Sequence, residues 1–162
     1  MKNISYYALF VLLLFACKQE RNESFDDDAR LKIKAEVKEM LHEYHKAISQ
    51  GGLKAEFAYL DSSDQFFWVP PGYQSALDFD SVKNILLRND LAMEQVDFHW
   101  EELELFVLSP KIVNFTGIVG GQMLDTAGNN SPVNIIESGT CIQREDGWKL
   151  LCGQSALLSN PF

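Results

Sequence analysis

The chain has 162 residues and a formal net charge of −9, with 23 Asp and Glu against 14 Lys and Arg. An acidic chain lacks the basic surface that nucleic-acid phosphates demand, so nucleic acid is excluded as a partner. The length fits a leader followed by one ordinary domain with one core, and no repeat, low-complexity block or second linker divides it.

Chemistry begins at the start of the chain. The run from Ile4 to Ala16 carries no charge and follows Lys2, the pattern of a secretory signal. It is shorter than the roughly 20 apolar residues that a membrane-spanning helix needs. The order Leu14-Phe15-Ala16-Cys17 resembles the lipobox of bacterial lipoproteins, although a smaller residue is usual at Phe15. That resemblance implies cleavage after residue 16 and acylation of Cys17, which anchors the protein to a membrane. An ordinary signal peptide cleaved nearby is the alternative. Several acyl chains on one residue anchor firmly, each buried methylene adding about 0.8 kcal/mol. Loss of Lys2 with the leader takes the formal charge from −9 to −10.

Residues 17–28 are polar except for Phe25, too poor in apolar side chains to fold alone, and are expected to be a tether. Lys18 directly after the cysteine fits the sorting pattern for the outer membrane of a two-membrane bacterium. The domain is expected over residues 29–162.

Within it, Ile33, Val37, Met40, Leu41, Tyr44 and Ile48 recur at threes and fours, so a long helix is expected, capped by Asp28 and ended by Gly51-Gly52. A short helix follows over Leu53 to Leu60, then a brief strand in QFFWVPPG and a helix from Phe79 to Leu91. Beyond Glu94 the apolar period changes to two. Four long strands are expected, the first pair joined at Ser109-Pro110-Lys111 and the second at Asp146-Gly147. Gly117, Gly120 and Gly121 sit inside a strand pattern, where they permit a bend or bulge. Helices followed by antiparallel strands predict an α+β fold, with a curved sheet wrapped around the long helix and two shorter helices.

The last hairpin sets a test of register. Pairing Glu145 with Trp148 across Asp146-Gly147 places Cys141 directly opposite Cys152, near enough to bridge. A disulfide is expected in an oxidising compartment, with two free thiols as the alternative.

Three stretches in this order resemble the nuclear transport factor 2-like superfamily and its SnoaL-like members. They are Ala47 to Leu60, Phe67 to Gly72, and Asp146-Gly147-Trp148-Lys149-Leu150. The resemblance covers about residues 29–157 and implies a cone whose sheet curls around a pocket, in relatives that commonly dimerise through the outer sheet face. The pocket positions it implies are Tyr44, Tyr59, Trp68, Tyr73, Trp100 and Gln154, which can also be read as core. The family often has Asp where Gly52 stands and His where Cys152 and Gln154 stand, so its acid/base roles do not carry over.

Glu137 is the acid left to consider. Strand alternation puts it on the face of Cys141; on the inner face it would be a buried acid suited to general-base chemistry, and on the outer face a solvated residue. Glu104 is ambiguous in the same way. His42, His45 and His99 lack the spacing of a metal pair on one helix face, with His42 and His45 expected at the boundary of the helix stripe. The cysteines have no ligand-spaced partners, and Ser155 lacks the context of a nucleophile elbow. No dinucleotide fingerprint is present, so neither metal nor cofactor is expected. The expectation is an extracytoplasmic domain that binds a small, largely apolar molecule or a partner without catalysis. The alternatives are an isomerase, cyclase or hydrolase using Glu137 as base with Tyr44 or Tyr73 as donor, and a dimerisation module.

Overall fold

The computed structural model describes residues 25–158. The proposed leader, Cys17 and most of the tether lie outside them.

Helix α1 spans Asp27–Gly51. Asp26, not Asp28, is its cap: the Asp26 carboxylate accepts the Ala29 N–H at 2.7 Å, satisfying a donor that the first turn leaves free. Asp27 and Asp28 then lie in the first turn, favourable to the helix dipole. Val37, Leu41, Tyr44, His45 and Ile48 form the buried stripe. Full burial of each large aliphatic side chain among them contributes about 1.5–3 kcal/mol. Gly52 stops the helix at φ +78, its N–H donating to Ile48 O, and a side chain there would collide with the Asp90 carboxylate. An Asp at this position would therefore be strained and crowded.

The short helix expected over Leu53 to Leu60 is a 3-10 helix, Leu53–Ala58. Strand β1 is Phe67–Val69 and helix α2 is Phe79–Asp90, capped by Asp78. The long strands are β2 (Met93–Ser109), β3 (Ile112–Asp125), β4 (Asn130–Arg144) and β5 (Gly147–Leu157). The sheet order is β1-β5-β4-β3-β2. The four long strands pair antiparallel, but β1 adds to β5 in parallel. The sheet is therefore mixed rather than wholly antiparallel.

Alternation alone assigns neither face, and two bulges decide it. In β2 the buried or half-buried side chains are Val96, Phe98 and Trp100, then Leu103, Leu105 and Val107; Glu101, left without a partner, shifts the phase. In β5 Trp148 and Leu150 point inward, Leu151 is left unpaired, and Ser155 becomes the next buried residue. The concave face receives α1, chiefly against β2. Inward glycines make room for aromatic rings: a Cβ at Gly117 would lie 2.8 Å from the Trp100 ring, and one at Gly153 would lie 2.6 Å from that of Trp68.

The hairpin register and the Leu151 bulge together correct the expected disulfide. The last hairpin turns at Glu145-Asp146, so Arg144 faces Gly147 and Cys141 faces Leu150, while Cys152 pairs with Thr140. The extra residue rotates Cys152 to the outer face, away from fully buried Cys141. Both cysteines are free thiols, and burial pushes the Cys141 thiol well above its usual value.

Candidate functional site

Odd-numbered residues of β4 face the cone, and this places Glu137 on the inner side, level with Ser155 of β5. Ser155 Oγ donates to Glu137 Oε1 at 2.8 Å and accepts from Trp68 Nε1 at 2.9 Å. Trp68 reaches this point because β1 runs beside β5 with Trp68 opposite Gly153, and its backbone is also clamped to Leu77. The helical elements build a second pair. Tyr44 on α1 donates its hydroxyl to Glu56 Oε2 on the 3-10 helix at 2.9 Å. Charge on Glu137 acts on both Tyr44 and Glu56, so the two pairs share one electrostatic environment.

Neither carboxyl has a cation. The ion pairs among the described residues involve other acids. Burial pushes Glu56 up to about 8, opposed by its hydrogen bond to Tyr44 and reinforced by Glu137. Burial likewise pushes Glu137 up to about 7, opposed by the Ser155 hydrogen bond. Burial, then the Glu56 and Glu137 charges, hold Tyr44 well above its ordinary value. Near neutral pH the site can hold protons on its carboxyls and exchange them with a bound group. Glu56 Oε1 and Glu137 Oε2 have no hydrogen-bond partner among the described residues.

The expected pocket residues separate. Tyr44 and Trp68 enter the site, and Tyr59 packs edge-on to Tyr44 with centroids 5.6 Å apart. Trp100 packs over Gly117, the register partner of Glu137, stacked on His45 at 4.8 Å and donating to Leu41 O at 3.2 Å. Tyr73 does not converge on the site: it is exposed, on the turn after Pro70-Pro71. Gln154 is corrected to the outer face, because the Leu151 bulge turns it there with Cys152. There it lines a shallow cleft of about 360 Å³ with Phe67, Asn114, Ser138 and Thr140.

The histidines also separate. His42 and His99 are exposed, whereas His45, expected at the stripe boundary, is 4 % exposed. Burial, with the His42 and His99 charges, lowers its pKa to about 3, so it is neutral. Glu104 is exposed. Among the described residues no group of three His, Cys, Asp or Glu is placed to hold a metal ion.

Glu56 is the site residue that sequence reasoning passed over. A signal was present: Glu56 is three residues after Leu53 and four before Leu60, which places it on the apolar side of a short helix. Only the tertiary contact with Tyr44 distinguishes an inward acid from an amphipathic accident.

No family model matches the chain, and no curated protein matches it in sequence. Solved structures do match. A candidate scytalone dehydratase from Novosphingobium aromaticivorans superposes with a TM-score of 0.72 at 13% identity, covering 82% of this chain and 88% of that one. A nuclear transport factor 2-like superfamily protein from Salmonella enterica gives 0.70 at 10% identity, with 82% and 96% covered. A hexachlorocyclohexane dehydrochlorinase gives 0.65 at 14% identity, with 84% and 95% covered. The order of elements, the cone and these superpositions agree: the chain has the nuclear transport factor 2-like fold.

Proposed function

We propose that the protein is a lipid-anchored, extracytoplasmic domain that takes a small, largely apolar molecule into its cone. Tyr44, Glu56 and Glu137 are its polar contacts and Cys17 its membrane anchor. The observation that carries the binding role is a pair of inward carboxyls with no cation beside them, Glu56 held by Tyr44 and Glu137 by Ser155. Such burial lowers stability, and strongly perturbed acids cluster at functional sites. A native mass spectrum of the purified protein tests this reading. A retained small molecule, lost in Tyr44→Phe with Glu137→Gln, is the expected result; empty protein that also fails to bind apolar probes by NMR overturns it. Absence of acyl mass on the N-terminal peptide, unchanged by Cys17→Ser, would overturn the anchor.

A second reading is favoured by the Glu137 carboxyl at about 7, where a general base for proton abstraction works best. Glu137 would take a proton from carbon while Tyr44 donates to the developing oxyanion. The similar structures named as a dehydratase and a dehydrochlorinase make elimination chemistry relevant. Deuterium incorporation from solvent into a bound ketone, abolished by Glu137→Gln with binding retained, would establish it. Retained exchange in that variant would remove Glu137 from the role.

A further inference from the structure

One side chain ties the start of α1 to the far end of β2. Arg30 Nη1 donates to Val107 O at 2.8 Å and Nε donates to Phe25 O at 3.3 Å. Its guanidinium carbon also lies 4.2 Å from the centre of the Phe25 ring, where a cation over the aromatic face adds to those bonds. The chain therefore enters the domain at a fixed place, beside the end of β2. That strand is the last in the sheet order, with no strand beyond it among the described residues.

Exposed apolar side chains gather at the same place. Leu31 follows Arg30 and is 65% exposed, while Phe106 and Leu108 flank Val107 at 50% and 58%. Single exposed apolar residues are ordinary, but three around one hydrogen bond on an uncovered edge make a patch. The charges around it offset one another, with exposed Lys32, Lys34 and Lys111 against Asp26, Asp27 and Asp28. Apolar insertion is then the main attraction the patch offers to a lipid surface.

Chain length says what the patch meets. Phe25 stands 8 positions after Cys17, and that many residues at full extension span at most about 29 Å. A domain of this size has a radius of gyration of about 14 Å and is about 35 Å across. Were the opposite end of the domain to rest on the bilayer, the connection to Cys17 would exceed its full reach. Only the half that contains Phe25 and the end of β2 can lie against the membrane.

Resting on the Cys17 anchor proposed above, we infer that the β2 end carrying Leu31, Phe106 and Leu108 docks on the surface of the bilayer that holds the acyl chains. Its apolar side chains enter the headgroup region, and the opposite end of β2, near Leu91, faces away.

The test uses the acylated full-length protein in phosphatidylcholine vesicles. In a Cys152→Ser background, which removes the reactive thiol, a bimane label is introduced through Leu31→Cys, Leu108→Cys or Leu91→Cys. Leu91 is the control, since it is 83% exposed and precedes the other end of β2. Lipid bearing a nitroxide in its headgroup region should quench the labels at positions 31 and 108 several-fold more than the label at 91. Equal quenching at all three positions, in protein that floats with the vesicles, overturns the docking and leaves the anchor standing. Labels at 31 and 108 that are shielded from aqueous iodide yet untouched by the nitroxide lipid would place a protein partner there and also overturn it. Protein that neither floats nor carries acyl mass overturns anchor and docking together.

Discussion

Two clusters of buried acid lie a few residues apart in sequence and are built to opposite rules. Asp61, which follows the 3-10 helix, is clamped by Arg144: Nε donates to Oδ1 at 3.0 Å and Nη2 to Oδ2 at 2.9 Å, with Ser63 adding a donor. Those bonds hold its carboxyl below the usual range. Glu56, five positions earlier, has a tyrosine and no cation as its partner, and burial, reinforced by the Glu137 charge, pushes it up. The first arrangement is a structural fastener, since the Asp61 N–H also donates to Leu150 O at 2.9 Å and ties the loop to β5. The second leaves its charge problem open for something else to complete.

Breaking the fastener should have the largest effect. Asp61→Ala leaves Arg144 without its partner; because that guanidinium is 35% exposed, water relieves part of the loss, and a cost of about 2 kcal/mol is expected. Urea unfolding measures it, and a change under about 0.5 kcal/mol would reduce the clamp to an ordinary surface pair.

The pH profile sharpens the contrast. Glu56 and Glu137 have folded-state pKa values of about 8 and about 7, against an ordinary value of 4.5. Between 4.5 and those values the folded protein holds protons that the unfolded chain has released. The stability they contribute is complete below pH 4.5 and is lost as pH rises through 7 and 8, by up to about 1.4 kcal/mol per pH unit for each group. Asp61 acts in the other sense: its depressed pKa gives stability above its ordinary value of 3.8 that disappears as pH falls below it. His45, at about 3, also loses stability on acidification below its ordinary 6.5, which opposes the glutamates there. Unfolding midpoints between pH 6.5 and 9 should fall in the native protein and stay nearly level in Glu56→Gln with Glu137→Gln. A level native profile would show that the acids are not buried as uncharged groups.

A smaller effect separates the two faces of the sheet. Cys152, half-buried on the outer face, should react with a maleimide in the folded protein, while fully buried Cys141 should react only after unfolding. A disulfide-linked peptide spanning both residues would show that the hairpin register, with Cys141 opposite Leu150, had been undone. The smallest effect belongs to Ser155→Ala. It removes one donor to Glu137 and leaves Trp68 Nε1 unpaired, costing about 1 kcal/mol, and it should move the Glu137 carboxyl further up, as carbon-detected NMR titration would read.

Much of the chain's organisation was legible because it follows from local period and turn chemistry. The α1 stripe, the Gly52 stop, the brief strand before Pro70 and the four long strands occur close to where spacing places them. Other features were legible only as alternatives. Glu137 faces inward, and nothing in the alternation of β4 says which of its two apolar sets meets the helix.

By itself, the sequence determined the periodic elements, their order and the acidic balance, since each depends on neighbours within a few residues. Tertiary structure decided everything that needed a partner from far along the chain. A single unpaired residue, Leu151, turned Cys152 and Gln154 outward, because a bulge reverses the phase of every side chain beyond it. The meeting of Tyr44 with Glu56, and of Glu137 with Ser155 and Trp68, likewise depends on how α1, the 3-10 helix and β1 settle on the curved sheet. Those are distances that no local pattern encodes.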